Sequence, residues 1–133
     1  MPEGMFLNSK HENLKKSIED GYVVSANLLR YFGSRMAEKG GGQIVVIGSF
    51  QGLATGLPGY SLSSSSSHAL WALCEGVRDE LRSYNVVLSY FAALKFEASR
   101  DKKEYLTPKI ENLFPVVAPS VQANSLMNGI ANA

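Results

Sequence analysis

The chain has 133 residues, enough for one compact domain and too few for two of ordinary size. Hydrophobic residues make up 45% and charged residues 19%, a balance that excludes a disordered or fibrous chain. Thirteen Lys and Arg against twelve Asp and Glu leave a net charge of +1, so no broad field gathers nucleic acid or an anionic membrane.

The opening MPEGMFLNSKHENLKK has no apolar core behind a basic start, which speaks against a secretory signal. No stretch approaches the roughly 18 apolar residues of a bilayer span, and no membrane span is expected in this chain. From Ser9 to Lys39 the residues Leu14, Ile18, Tyr22, Ala26, Leu29, Phe32 and Met36 recur every third or fourth position, the spacing of one helix face. Ser9 and Glu12 have the spacing of a capping box, Gly40-Gly41-Gly42 ends the helix, and Gly21 is a costly residue inside it.

Ile44-Val45-Val46-Ile47 is an unbroken β-branched run, expected of a parallel strand buried on both faces. A Gly/Pro/Ser loop from Gly48 to Leu62 follows, then a second helix over about Ser64–Ser83 with Leu70, Leu73, Cys74, Val77 and Leu81 on its apolar stripe. Cys74 is the only cysteine, so it forms no internal disulfide and reads as a small buried hydrophobe in a reducing compartment. One serine of the run Ser63 to Ser67 is expected to cap this helix.

Val86 to Phe91 is the second buried-strand candidate, and a polar stretch with Pro108, Pro115 and Pro119 follows it. Within that stretch Arg100, Lys102 and Lys103 alternate with Asp101 and Glu104, the pattern of a solvated surface segment rather than a nucleic-acid site. Pro119-Ser120 starts a last helix carrying Val121, Ala123, Leu126, Met127 and Ile130. The order helix, strand, helix, strand, helix predicts an α/β fold with a parallel sheet and right-handed crossovers.

Gly48-Ser49-Phe50-Gln51-Gly52 after a strand invites comparison with a dinucleotide-binding glycine loop. Ala54 stands where the last glycine is needed, and Gly56, Pro58 and Gly59 interrupt the helix that should begin at once. A better match is the catalytic half of the short-chain dehydrogenase/reductase family. Gly42 to Ser49, Leu57-Pro58-Gly59-Tyr60, the serine-rich turn and His68-Ala69-Leu70 together resemble that family's strand, catalytic serine and Tyr-x-x-x-Lys helix.

By this resemblance Ser49 holds the family's serine position. Ser63 falls on the tyrosine, Ser67 on the lysine and Gly21 on the asparagine of the preceding long helix, so three of the four chemical groups are replaced. Ala93-Leu94 also stands where the family places Pro-Gly. Within the family, Tyr84 to Val87, Lys95-Phe96-Glu97 and Leu106 to Glu111 resemble the 3-ketodihydrosphingosine reductases.

The resemblance implies a truncated, doubly wound Rossmann-like sheet with long flanking helices. Residues 1–133 would form the C-terminal, catalytic half of the domain, with no counterpart of the first three strands or their glycine-rich NADP(H) loop. It also implies NADPH as cofactor, a ketosphingoid lipid as substrate, and a place in the cytoplasm or on the cytosolic face of the endoplasmic reticulum.

Ketone reduction needs hydride delivery with protonation of the nascent alkoxide. The family's tyrosine protonates it with a phenol made more acidic by the adjacent lysine. Serine at position 63 is a far weaker and shorter acid, serine at 67 brings no charge, and turnover is not expected. Tyr60 and His68 lie close enough in sequence to offer a proton but have no lysine partner. Ser49 without a base is not an activated nucleophile. The alternative is a non-catalytic interaction module, pairing with itself or an intact relative through the two long helices. Half a doubly wound sheet would also leave the Ile44 strand with an open edge, which favours association.

Overall fold

The computed structural model describes residues 5–53, 59–93 and 118–132. A 3-10 turn at Phe6–Asn8 leads into α1 (His11–Ile18), a π-helical segment (Glu19–Val23) and α2 (Val24–Glu38), which run on as one rod. Then come β1 (Gly42–Ser49), a 3-10 turn (Phe50–Gly52), α3 (Ser61–Arg82), β2 (Val86–Ala93) and α4 (Pro119–Ala131). The α/β order expected from hydrophobic spacing is the order found.

The two strands pair in parallel over their whole length, from Gly42 opposite Val86 to Ser49 opposite Ala93. Their starts are level because Gly42 N–H donates to the Asn85 carbonyl at 3.0 Å. That approach demands a glycine beforehand: Gly41 has φ +141°, and a Cβ there would stand 2.7 Å from the same carbonyl. Asn85 itself takes φ 58°, the left-handed conformation that asparagine tolerates better than most residues.

Leu29 of α2, Leu70 and Cys74 of α3 and Leu88 of β2 form the buried core, flanked by Tyr22, Ile44, Val46, Leu73, Val77, Leu81 and Tyr90. Both long helices therefore cover the sheet face that carries Ile44, Val46, Leu88 and Tyr90. α4 touches the sheet more lightly, with Gln43 Nε2 donating to the Ile130 carbonyl at 3.4 Å. β1 is not buried on both faces as expected: Ile47 is exposed, because alternation turns it away from the two helices.

Three other expectations are corrected. Ser9 does not cap α1; the N-cap is Lys10, and the Ser9 hydroxyl donates back to the Met5 carbonyl at 3.3 Å in closing the preceding turn. α3 begins at Ser61 rather than Ser64, which draws the serine run into the helix. None of those serines caps it. The N-cap is Tyr60, and the hydroxyls of Ser63, Ser65 and Ser66 instead donate to carbonyls three or four residues back.

Burial pushes the Cys74 thiol above its ordinary value of 9.0, an effect that neighbouring Arg78 partly offsets. Burial likewise raises the Tyr90 phenol above 10.0, helped by its proximity to Cys74. Both groups are held neutral by the fold, so the stability they contribute is complete below their ordinary values and lost as pH rises through the raised ones. The urea unfolding midpoint is expected to hold at neutral pH and fall from about pH 9 upward. Cys74→Ala should flatten that fall; an unchanged alkaline slope would remove the thiol from the account.

Candidate functional site

The site lies where β1 ends and α3 begins. Ser49 is the last residue of β1, and its Oγ accepts a hydrogen bond from Gln51 N–H at 3.2 Å. Ser63, in the first turn of α3, shares its hydroxyl proton between Gln51 Oε1 at 3.3 Å and the Tyr60 carbonyl at 3.1 Å. Gln51 thus links the two positions, through its main chain to Ser49 and its side chain to Ser63. Sequence reasoning missed this residue, since nothing in a single glutamine inside a glycine-bounded turn signals a role.

Ser67 is one turn further along α3, and its main chain forms the floor against which the turn after β1 is pressed. A Cβ at Gly52 would stand 2.8 Å from the Ser67 carbonyl carbon and 2.9 Å from its oxygen. His68, next along the helix, clamps the same contact by donating from Nδ1 to the Gly52 carbonyl at 2.6 Å, its ring tilted against Trp71. The ring therefore has a structural hydrogen bond, with the Nδ1–H tautomer set by the carbonyl it meets.

Gly21 lies in the π-helical segment, facing α3. Its missing side chain leaves room for Ser66: a Cβ at position 21 would stand 2.8 Å from Ser66 Oγ and 3.0 Å from Ser66 Cβ. Ser66 is buried and hydrogen-bonded to the Leu62 and Ser63 carbonyls, with Ser17 Oγ 3.3 Å away. Ser17 also donates to the Leu62 carbonyl at 3.0 Å. The fold thus brings Gly21 against the opening turns of α3, where Ser63 and Ser67 also stand, and fills the space beside it with a serine.

Tyr90 is the other residue that sequence reasoning missed. Its phenol covers Gly48, whose absent Cβ would collide with the ring, and its Oη donates to the Ser49 carbonyl at 3.5 Å. Burial makes its phenol a weaker acid than free tyrosine rather than a stronger one. Ser64 Oγ is buried with no hydrogen-bond partner among the described residues. A buried unpaired hydroxyl costs about 1–3 kcal/mol. Ser64→Ala is therefore expected to raise stability by about 1 kcal/mol, read from the urea midpoint, and a loss of stability would mean the hydroxyl is satisfied.

Gly48 and Gly52 leave no cradle for a phosphate. The space at Gly52 is occupied by the α3 main chain and that at Gly48 by Tyr90. No lysine or arginine among the described residues makes a hydrogen bond or ion pair with Ser49, Ser63 or Ser67; the ion pair seen is Arg78 with Glu75 at 2.6 Å on the outer face of α3. The described residues hold no cluster of three or more His, Cys, Asp or Glu placed for a metal.

Three comparisons bear on this arrangement. A short-chain dehydrogenase from Streptomyces avermitilis superposes with a TM-score of 0.79 at 22% identity, covering 98% of this chain and 52% of its own. The chain carries part of the short-chain dehydrogenase/reductase fold. ElxO with NADP bound has the same fold, with a TM-score of 0.67 at 24% identity over 73% of this chain and 39% of its own. In sequence, the 3-ketodihydrosphingosine reductase of Dictyostelium discoideum is 31% identical over 97% of this chain. No protein-family model matches the chain. The chain spans about 40% of the length of that reductase.

On this fold, β1 is the strand whose end carries Ser49, and α3 is the helix on which Ser63 and Ser67 stand. The Lys95 to Glu97 and Leu106 to Glu111 resemblances, the position of Leu94 and the Arg100 cluster fall outside the described residues. So does most of the loop between Leu53 and Gly59.

Proposed function

We propose that this chain corresponds to the C-terminal half of a short-chain dehydrogenase similar to 3-ketodihydrosphingosine reductase, with the proton-transfer groups replaced, and that it does not reduce ketones. The observation that carries this reading is the use made of Ser63. Its hydroxyl is spent on Tyr60 and Gln51 within its own turn, and no cation stands against it among the described residues. Ser49 retains a hydroxyl that can hold a carbonyl oxygen, but holding is not protonating. Loss of a positioned general acid removes a factor on the order of 10² to 10⁴ in rate.

The described residues also do not fit NADPH. Ser67 supplies a short neutral side chain where the family has a lysine to grip the ribose, and the glycines nearby are closed by Tyr90 and α3. A ketosphingoid lipid remains the substrate class to test, and the cytoplasm or the cytosolic face of the endoplasmic reticulum the place to look, both by similarity alone. No helix among the described residues is long and apolar enough to cross a membrane. Titration of the purified chain with NADPH, followed by cofactor fluorescence, is expected to give no saturable change. Saturable binding at micromolar NADPH would overturn this part of the reading.

A second reading is favoured by one observation. Val24, Leu28, Tyr31 and Phe32 are all exposed along α2, a patch that suits pairing with a second copy or an intact relative rather than catalysis. Light scattering on the eluting peak of a sizing column checks it, with dimeric mass expected at micromolar concentration and a clean monomer counting against it.

A further inference from the structure

α1, the π-helical segment and α2 run on as one rod, but its two ends are held differently. α2 buries Leu29 and Gly33, whereas no residue of α1 is buried. Even the side of α1 that meets α3 is loosely packed. Leu14 and Ile18 are 39% and 37% exposed, and with Phe6, Ser17, Leu62 and Ser65 they border a half-open cavity of about 160 Å³. Side chains that face a void lose the dispersion contacts of a filled core.

One side chain ties α1 down. The Ser17 hydroxyl donates to the Leu62 carbonyl at 3.0 Å and lies 3.3 Å from Ser66 Oγ. The N-cap Lys10 gives α1 no side-chain cap, and the ion pair seen among the described residues lies on α3. An isolated helix shorter than about 12–15 residues is marginal in water, and α1 has 8.

The joint between the two ends is weak as well. Val24 N–H donates to the Glu19 carbonyl five residues back, the bond of a π-helix rather than an α-helix. Gly21 stands in the middle of that segment, the residue type that restricts the main chain least.

We propose that α1 is a strap hinged at Glu19–Val23, which swings off α3 as one unit while α2 stays packed on the sheet. Closed, it covers Leu62 and Ser66 in the opening turns of α3. Open, it bares them beside Ser63. The Ser17 bonds and the Leu14 and Ile18 contacts are lost and regained together, a local opening well below the free energy of global unfolding. The strap depends on contacts within this chain alone, and on neither cofactor binding nor ketone reduction.

Native-state amide exchange on the purified chain tests it. The amides at positions 15 to 18 are expected to share one protection factor, at least about tenfold below that of Leu29 to Gly33, with the step falling across Glu19–Val23. A smooth gradient along the rod would show ordinary fraying from the end, and equal protection would show a single rigid unit. Either would overturn the proposal. Ser17→Ala removes the tie and should speed exchange at positions 15 to 18 about fivefold, the worth of a modest hydrogen bond, without changing Leu29 to Gly33. Ser65→Leu fills the cavity from an exposed position and should slow the same amides several-fold. Effects that are absent from α1, or equal at both ends of the rod, would overturn the proposal. Thiol alkylation reads the uncovering: Ser66→Cys should label at a rate that rises with Ser17→Ala, while Cys74, wholly buried, labels only on global unfolding. Equal rates at the two thiols would mean that α1 does not open alone.

Discussion

Gly52→Ala is expected to destabilise the chain by about 3 kcal/mol. The new Cβ would stand 2.8 Å from the Ser67 carbonyl carbon and 2.9 Å from its Cβ and oxygen. The carbon and oxygen belong to the main chain of a 22-residue helix and the Cβ is fixed to it, so none of them can swing aside as the end of a flexible side chain would. Either the turn after β1 lifts from α3, breaking the bond from His68 Nδ1 to the Gly52 carbonyl, or the helix bends. Overpacking of this kind costs about 1–3 kcal/mol, occasionally more. Urea unfolding of the two proteins measures it, and a change below about 0.5 kcal/mol would show that the turn and helix are not in contact in solution.

A side chain added at Gly21 is the second large effect. In Gly21→Asn the new Cβ meets Ser66 Oγ at 2.8 Å and Ser66 Cβ at 3.0 Å, and Ser66 is buried and bonded to two carbonyls of its own helix. The single variant is expected to lose about 1–3 kcal/mol of stability, less whatever is regained by removing a glycine from a helix, about 1 kcal/mol. Ser66→Gly alone also destabilises, by about 1 kcal/mol or more through helix propensity and lost packing. Combined, the two should be at least about 1 kcal/mol less harmful than their sum, because the second change opens the space the first needs. Additive losses in a double-mutant cycle would mean that Ser66 does not occupy the place of a side chain at 21.

These two glycines show what a single sequence can and cannot convey. Gly21 is visible as a helix-weakening residue, but its partner is not, because Ser66 lies 45 positions away in a serine run expected only to cap the second helix. The π-helical segment around Gly21 was likewise hidden: Leu14, Ile18, Tyr22, Ala26 and Leu29 keep a helical spacing whether or not one turn is widened. The run Ser63 to Ser67 reads as the opening of the helix with one serine as its cap, because serine hydroxyls favour helix N-termini. In the fold those hydroxyls bond back to helix carbonyls, and tertiary packing of Leu70 and Cys74 carries the helix past them.

Other parts were legible because they rest on strong local physics. Ile44 to Ile47 and Val86 to Phe91 are β-branched and aromatic runs of strand length, and both lie within the parallel pair. Pro119 starts α4, as its fixed φ favours at the first helical position. Burial of Ile47 was overestimated since a continuous apolar run tells that a strand is made for two covered faces and not that both are covered. At the site, Ser49 and Ser63 are singled out by the family resemblance, whereas Gln51 and Tyr90 make contacts that only the folded chain creates.

The proposal that this chain keeps part of the short-chain dehydrogenase fold without a group to protonate a reduced ketone has a direct test. It is tested most directly by incubating the purified chain with NADPH and a 3-ketosphingoid base, beside the Dictyostelium reductase as a working control, and measuring both NADPH consumption and the reduced product. Consumption equal to the protein-free blank, with no product at any protein concentration, is expected. Product that accumulates in proportion to the amount of chain, and is lost in Ser49→Ala, would contradict it.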